Sequence, residues 1–363
     1  MNFFKRNLVS LKYGFCYIYL VYKMKKQLLC SLLSTFIFMG TLFHSPCALA
    51  QRTEKKATAE ITKESLTDIL NQNRSYYEQG RVATYIPELA KMNAASAALS
   101  VVTEKGTVIN VGDIHEKFTI QSISKLVALM IAVQEKGETE VFKNMGYFGT
   151  DKPFNHFGSL ETTGKPLNPM MNSGAILTTS MIKGDGEIPF LKILDMLRYI
   201  TKNKDLDYSK TVYLSEKETG HRNRGMFYIL KNSGLIEGSE DKLDNYFKQC
   251  SVEVTAEDLA KIGFFFANGC VRFDGDVTYK NTELSRLVQS QMLIAGMYEF
   301  SGEYARTVGL PSKSGVGGGI TVSVPGKMGI GVFSPALDSH GNSLAGYHMI
   351  LDLAARYHFN IFQ

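Results

Sequence analysis

Apolar and polar positions along the chain repeat with two different periods, and the period changes with position. Near both ends of the body they step by two. Residues 97–102 and 107–111 flank Glu104-Lys105-Gly106, and residues 320–324 and 328–333 flank Pro325-Gly326-Lys327, which predicts two β-hairpins. Between them, from Ser122 to about Ala295, the apolar residues fall mainly at helical spacing. A first helix is expected with Thr62 or Ser65 near its N-cap, Leu66, Ile69 and Leu70 on one face, and an end near Gly80. A last helix is expected over 343–357, with Leu344, Tyr347, Ile350, Leu351 and Ala354 aligned. Strands at both ends around a helical middle predict an α+β fold. In it the chain ends build one antiparallel sheet with flanking helices, and the middle forms a helical lobe.

The first fifty residues read differently. Lys25-Lys26 precede a mostly apolar run over 28–43, and Ala48-Leu49-Ala50 supplies small residues before polar Gln51-Arg52-Thr53. That order predicts a signal peptide over about 24–50, cleaved after Ala50, and hence an exported protein. The run is short for a bilayer span and is weakened by Ser31, Ser34, Thr35 and Gly40, so stable membrane insertion is not expected. Translation starting at Met24 would make residues 1–23 a misassigned start. Residues 51–63 are polar, a tether, and 64–363 form one continuous catalytic-size unit without repeats or a Pro-rich linker.

Charge and cysteine content narrow the partners. The formal net charge of +5 is carried by Lys5, Arg6, Lys12, Lys23, Lys25 and Lys26 of the leader, which holds no Asp or Glu. The body is then close to neutral, with no electrostatic case for nucleic-acid binding. Of the five cysteines, Cys250 and Cys270 lie in the body; they are free to pair after export, but buried thiols are the favoured reading. The seven histidines show no HxxxH or HExxH spacing and there is no CxxC pair, so neither a metal nor another cofactor is predicted.

The candidate chemistry begins directly after the first hairpin, in Phe118-Thr-Ile-Gln-Ser122-Ile-Ser-Lys125. Three residues apart on a helix means one face, so the Lys125 amine can exchange a proton with the Ser122 hydroxyl. The helix dipole or a second cation would depress the lysine and leave a neutral amine to act as base. Alone, such a pair recurs by chance on solvated helices. It gains weight from Lys313-Ser314-Gly315 before the second hairpin, because an SxxK helix beside a Lys-Ser-Gly edge strand is the pairing of β-lactamase-type serine acyl-transfer enzymes. The glycines after Lys313 let a substrate lie against the strand, whose N–H groups can hold an oxyanion.

With these blocks in place, the chain resembles the serine-dependent bacterial glutaminases, a family with a β-lactamase/DD-peptidase-like fold. The resemblance runs from about Gly80 to Arg356. It is carried by 82–90, 118–125, Asn168-Pro-Met-Met-Asn-Ser-Gly-Ala175, Ser215-Glu216, Arg222-Asn223, the Tyr246 block with Cys250-Ser251, Gly296-Met-Tyr298, 308–320, Ser334-Pro and Gly341-Asn-Ser. It implies hydrolysis of L-glutamine to L-glutamate and ammonia through an acyl-enzyme. Ser122 would be the nucleophile, Lys125 the base and Tyr246 a proton relay. The N–H groups of Ser122 and Val316 would form the oxyanion hole, and Lys313 joins the catalytic set through its place in the motif. Asn172, Glu216, Asn223 and Tyr298 match substrate-binding positions. Independently, Glu216 suits an α-ammonium, and seven residues from Glu216 to Asn223 is about two turns, one face if the segment is helical.

Departures are Met171 and Ser173 in the asparagine block, Arg224-Gly225 after Asn223, and Cys270 where Gly is usual. The leader departs further, since the family is commonly cytoplasmic, which keeps a cytoplasmic location as the alternative. The resemblance also implies a homo-oligomer, a tetramer or dimer. Two rival readings stand beside it: a β-lactam-interacting serine hydrolase, and a non-catalytic module that binds an amino acid. A missing Ser-Asp-Asn triplet speaks against the first, and the presence of both Ser122 and Lys125 against the second.

Overall fold

The computed structural model describes residues 60–363. The predicted leader, its cleavage site and most of the tether lie outside the described residues. Helix α1 (Lys63–Asn73) opens on a reciprocal cap: the Ser65 N–H donates to Thr62 Oγ1 and the Thr62 N–H to Ser65 Oγ, so both predicted cap residues take part. A 3₁₀ stretch then carries the chain to Gly80. Strands β1 (Ala98–Val102), β2 (Val108–Gly112) and β3 (Phe118–Thr119) follow, then helices α2 (Ser124–Lys136), α3 (Glu138–Lys143), α4 (Gly158–Thr163), α5 (Asn172–Met181) and α6 (Ile188–Thr201). Helices α7 (Lys210–Thr219), α8 (His221–Asn232) and α9 (Asp241–Cys250) lead to β4 (Glu253–Val254) and to α10 (Ala256–Ala267), α11 (Thr282–Ala295) and α12 (Ser301–Thr307). Strands β5 (Ser312–Gly315), β6 (Gly319–Val324) and β7 (Met328–Phe333) and helix α13 (Leu344–Tyr357) complete the fold.

Both predicted hairpins form, and they join. The antiparallel sheet has the order β2-β1-β7-β6-β5, with Ser100 of the first hairpin opposite Gly331 of the second. A sheet closed by both chain ends, with helices on both faces, is the α+β, β-lactamase-like arrangement expected. One face packs on α1 and α13 through Leu66, Ile69, Ile330, Val332, Ile350 and Leu353. The other receives α10, behind which the helical lobe forms a second, larger core. Helix α2 runs through that core with every residue from Ser124 to Ala132 buried, which explains why it is apolar on all sides rather than striped. Among the described residues no helix is long and apolar enough to cross a membrane.

Two sequence expectations meet a definite outcome here. Cys250 and Cys270 are free, buried thiols. Cys270 has a φ of 62°, in the left-handed region that favours glycine, which accounts for glycine being usual at that place. The Glu216–Asn223 stretch, in contrast, is not one helix. Gly220, a poor helix former with ψ 33°, ends α7 and begins α8, so the two residues approach the site from separate helices rather than from two turns of one face.

Candidate active site

The nucleophile candidate sits in a 3₁₀ turn, Gln121–Ile123, fused to the N-terminus of α2. The preceding Gln121 is a non-glycine residue at φ 50°, a conformation that costs about 1–3 kcal/mol and is held by its surroundings. Its side chain donates to Thr119 Oγ1 at 3.1 Å, and the Ser124 hydroxyl donates to its carbonyl at 2.8 Å. Strand β5 lies at the edge of the sheet beside this turn, where a Cβ on Gly315 would stand 2.7 Å from the Ile120 carbonyl oxygen. Only glycine permits that approach. It brings Val316 to the same cavity wall as Ser122.

Lys125, one turn into α2, is 1 % exposed. Its amine donates to the Met170 carbonyl at 2.9 Å and to Asn172 Oδ1 at 2.7 Å. Asn168 builds the turn that supplies both acceptors. Its Oδ1 accepts from the N–H groups of Met170 and Met171, and its amide nitrogen donates to the Phe148 carbonyl at 2.6 Å. Gly174, whose Cβ would overlap the Asn168 carbonyl, lets the first turn of α5 fold onto that loop. The asparagine block is thus a device for feeding two oxygens to one buried amine. Burial pulls the Lys125 amine down from 10.5 to about 8, while Cys250 and Glu216 pull the other way. Asn172 passes the contact on, donating from Nδ2 to Asn223 Oδ1 at 3.0 Å.

Glu216 is 6 % exposed and one of its carboxylate oxygens, Oε2, has no hydrogen-bond partner. Burial raises its carboxyl to about 8, against the lowering influence of Lys125 and of Gln121. An unpaired buried carboxylate is costly, and a docking cation would relieve it. Tyr246, on α9, is buried and its phenol is driven well above 10 by burial, then by Cys250 and Glu216.

Lys313, on β5, is fully buried. It donates to the carbonyls of Gly296 at 3.0 Å and Ser314 at 2.6 Å and lies 4.3 Å from the centroid of the Tyr298 ring. Burial, then the neighbouring Lys125, hold its amine well below 10.5. Tyr298, itself at φ 57°, donates its hydroxyl to the Ser314 carbonyl at 3.1 Å and also bears on the Ser122 hydroxyl.

These side chains meet around a cavity of about 260 Å³. Ser122, Asn172, Glu216, Asn223, Tyr246 and Val316 line it directly, while Lys125, Lys313 and Tyr298 stand behind the lining: Lys125 reaches it through Asn172, and Lys313 and Tyr298 both donate to the Ser314 carbonyl beside it. Sequence reasoning gave no role to other wall residues, among them Tyr85, Phe154, Arg222 and Cys250. Tyr85, Arg222 and Cys250 fell inside blocks quoted for the resemblance but had no role attached. Tyr85 is 55 % exposed as a whole residue, yet its phenol is raised well above 10, first by burial and then by Glu216. Phe154 roofs the cavity, its carbonyl accepting from the Asn172 N–H at 3.0 Å and its ring 4.8 Å from that of Tyr298.

A serine in a strained turn, a buried amine of lowered basicity and an edge strand made approachable by glycine define an amidohydrolase of β-lactamase-like fold. The chain matches the glutaminase family model over residues 80–362. It is 47% identical over 305 residues to glutaminase 2 of Clostridium perfringens, covering 83% of this chain and 100% of that one. It is also 46% identical over 304 residues to a glutaminase of Fusobacterium nucleatum, with 83% and 100% covered. A Bacillus subtilis probable glutaminase complexed with 6-diazo-5-oxo-L-norleucine superposes with a TM-score of 0.76 at 33% identity, covering 84% of this chain and 100% of that one. The chain belongs to the glutaminase family, enzymes that hydrolyse the amide of glutamine. That membership decides between the glutamine amidohydrolase and its two rivals.

Proposed function

We propose that hydrolysis proceeds through a Ser122 acyl-enzyme with neutral Lys125 as the general base. The observation that carries this reading is the hydrogen bonding of Lys125. A neutral amine has two hydrogens, and the Met170 carbonyl and Asn172 Oδ1 take both. The lone pair is then the remaining direction, available to the serine proton. Attack of Ser122 Oγ on the δ-carbon of glutamine puts charge on the amide oxygen, which the N–H groups of Ser122 and Val316 receive. Collapse breaks the C–N bond as nitrogen gains a proton by way of Tyr246. Water, deprotonated by Lys125, then releases glutamate. Glu216 holds the α-ammonium, which replaces the missing partner of its Oε2, while Asn172, Asn223 and Tyr298 fix the rest of the substrate. Lys313 acts at one remove, by locking Tyr298 and the β5 edge.

In support, a Bacillus subtilis glutaminase 32% identical to this chain, with a TM-score of 0.74, forms a covalent complex with 5-oxo-L-norleucine on reaction with 6-diazo-5-oxo-L-norleucine. The test is ammonia and glutamate release from L-glutamine by residues 51–363 and by Ser122→Ala, with intact-mass analysis after the diazo reagent. Ser122→Ala is expected to lose at least about 10⁴-fold in kcat and to carry no adduct. Retained turnover or an adduct on the variant overturns the reading. On the same footing we take the enzyme to be an exported homo-oligomer that does not bind nucleic acid, from the order of its leader, the habit of its family and the near-neutral body. Amino-terminal sequencing of the mature protein and its mass in solution check the first two points.

A further inference from the structure

Gln249, on α9, is fully buried, and its neighbours on that helix, Tyr246, Phe247 and Cys250, belong to the apolar core of the helical lobe. It stands outside the cavity wall, so contact with substrate does not account for it. A primary amide in such a place is costly unless both its ends are bonded, and both are. Its Nε2 donates to Ser124 Oγ at 3.3 Å, and its Oε1 accepts from Thr179 Oγ1 at 2.9 Å. Ser124 and Thr179 are buried as deeply. The bond to Ser124 leads on to the nucleophile. With an amide N–H on one lone pair, the single hydroxyl hydrogen of Ser124 goes to the Gln121 carbonyl at 2.8 Å, and the Ser124 N–H donates to the same oxygen. Gln121 is the residue at φ 50° directly before Ser122. At the other end, Thr179 lies about two turns along α5 from Asn172, the acceptor for the Lys125 amine. Tyr246 stands one turn before Gln249 on α9. One buried amide thus ties together the elements that carry Ser122, the acceptor of Lys125 and Tyr246.

We propose that Gln249 is a positioning residue for the nucleophile: its amide bridges Ser124, at the Gln121–Ser122 turn, to Thr179 on α5, and so fixes that turn against helices α5 and α9. This rests on the acyl-enzyme reading above. A serine that must attack along one line and hand its proton to one amine loses rate when its turn drifts, even where substrate still binds. The Gln121 backbone occupies a sparsely populated conformation, so it persists only as far as its surroundings impose it. Stability does not explain the amide. With an apolar side chain in its place, the Thr179 hydroxyl would turn to the Ala175 carbonyl, already at 2.9 Å, and Ser124 would keep the Gln121 carbonyl, so neither hydroxyl would be left buried without an acceptor. What an apolar side chain cannot supply is the bridge between the turn and the two helices.

The experiment is a double-mutant cycle in the mature enzyme. For Gln249→Leu, Ser124→Ala and the double variant it measures kcat and KM for glutamine, the rate of adduct formation with 6-diazo-5-oxo-L-norleucine by intact mass, and the melting temperature. Gln249→Leu is expected to lose about fivefold in kcat, the rate equivalent of one ordinary hydrogen bond, and to slow adduct formation in step, with KM and melting temperature little changed. In the Ser124→Ala background, itself slowed, Gln249→Leu should cost nothing further. Thr201→Val removes another buried hydroxyl from the same lobe and, as control, should leave kcat unchanged. If Gln249→Leu folds poorly, Gln249→Met, which fills the space without an N–H donor, takes its place. Wild-type kcat in the variant, a loss confined to KM or melting temperature, an equal loss of kcat with and without the Ser124 hydroxyl, or failure of both variants to fold overturns the proposal. If Ser122→Ala is inactive and the cycle is additive, only the role of Gln249 falls; if Ser122→Ala still turns over, the acyl-enzyme reading falls with it.

Discussion

Lys125 and Lys313 are both hidden from water and both lowered by burial, yet their environments differ. Lys313 meets two main-chain carbonyls and the face of an aromatic ring. Lys125 meets one carbonyl and one side-chain amide, and that amide reaches Asn223 on a different helix. The sheet side is thus locked by backbone, whereas the helical side is a chain of side chains from Lys125 through Asn172 to Asn223. In the mechanism proposed, burial alone does not separate a base, Lys125, from a strut, Lys313. What separates them is whether the partners leave a direction open toward the substrate.

The sharpest way to break this comparison is to remove each amine in turn. Lys125→Met should lower kcat by about 10²–10⁴-fold with the fold intact, because the serine loses its proton acceptor. Near-normal turnover would reject the assignment. Lys125 is an ammonium without a lone pair below about pH 8, and Glu216 is neutral there, so turnover should fall as pH drops through about 8. Glu216→Gln comes next, with a loss of about 10²-fold in kcat/KM as the α-ammonium loses its counter-charge. Glu216 also raises Lys125, so its removal should move the acid limb of kcat to lower pH. A limb that stays put, or moves up, contradicts that coupling.

Smaller effects should appear on the sheet side, and mainly in stability. Lys313→Met removes one hydrogen bond from each of the Gly296 and Ser314 carbonyls, which keep the Ser314 N–H and the Tyr298 hydroxyl as partners, at about 1–3 kcal/mol in all, so the melting temperature should fall further than with Lys125→Met while kcat falls less. The reverse pattern would exchange the roles of the two lysines. Gly315→Ala should cost about 1–3 kcal/mol in chemical unfolding by pushing the β5 edge off the Ile120 carbonyl. Unchanged stability would mean that the approach is not tight.

The sheet was legible because its hairpins carry their own signals, period-two alternation and glycine turns, which need no knowledge of the rest of the chain. The Ser122–Lys125 pair was legible for the same reason, since the two lie three residues apart where a 3₁₀ turn runs directly into α2. The break at Gly220 was not, because a spacing of seven fits one helix as well as two, and only packing against Phe247 and the loop at 154–157 settles it. Tyr85 and Cys250 escaped because their significance comes from what folds against them. Neither a tyrosine nor a cysteine announces in sequence whether its tip enters a cavity or a core.

One feature of the sheet also governs how the enzyme comes into being. Strand β1 finds its inner partner only in β7, since Ser100 pairs with Gly331, so the sheet must wait for nearly the whole chain and then close a very long loop. Strand β5 hangs on β6, which hangs on β7. A nascent or truncated chain that already contains Ser122, Lys125, Glu216 and Tyr246 therefore still lacks the edge that completes their site. Synthesis and catalytic competence are separated in time by topology, and the order of emergence from the ribosome keeps the hydrolase silent until its last strand arrives.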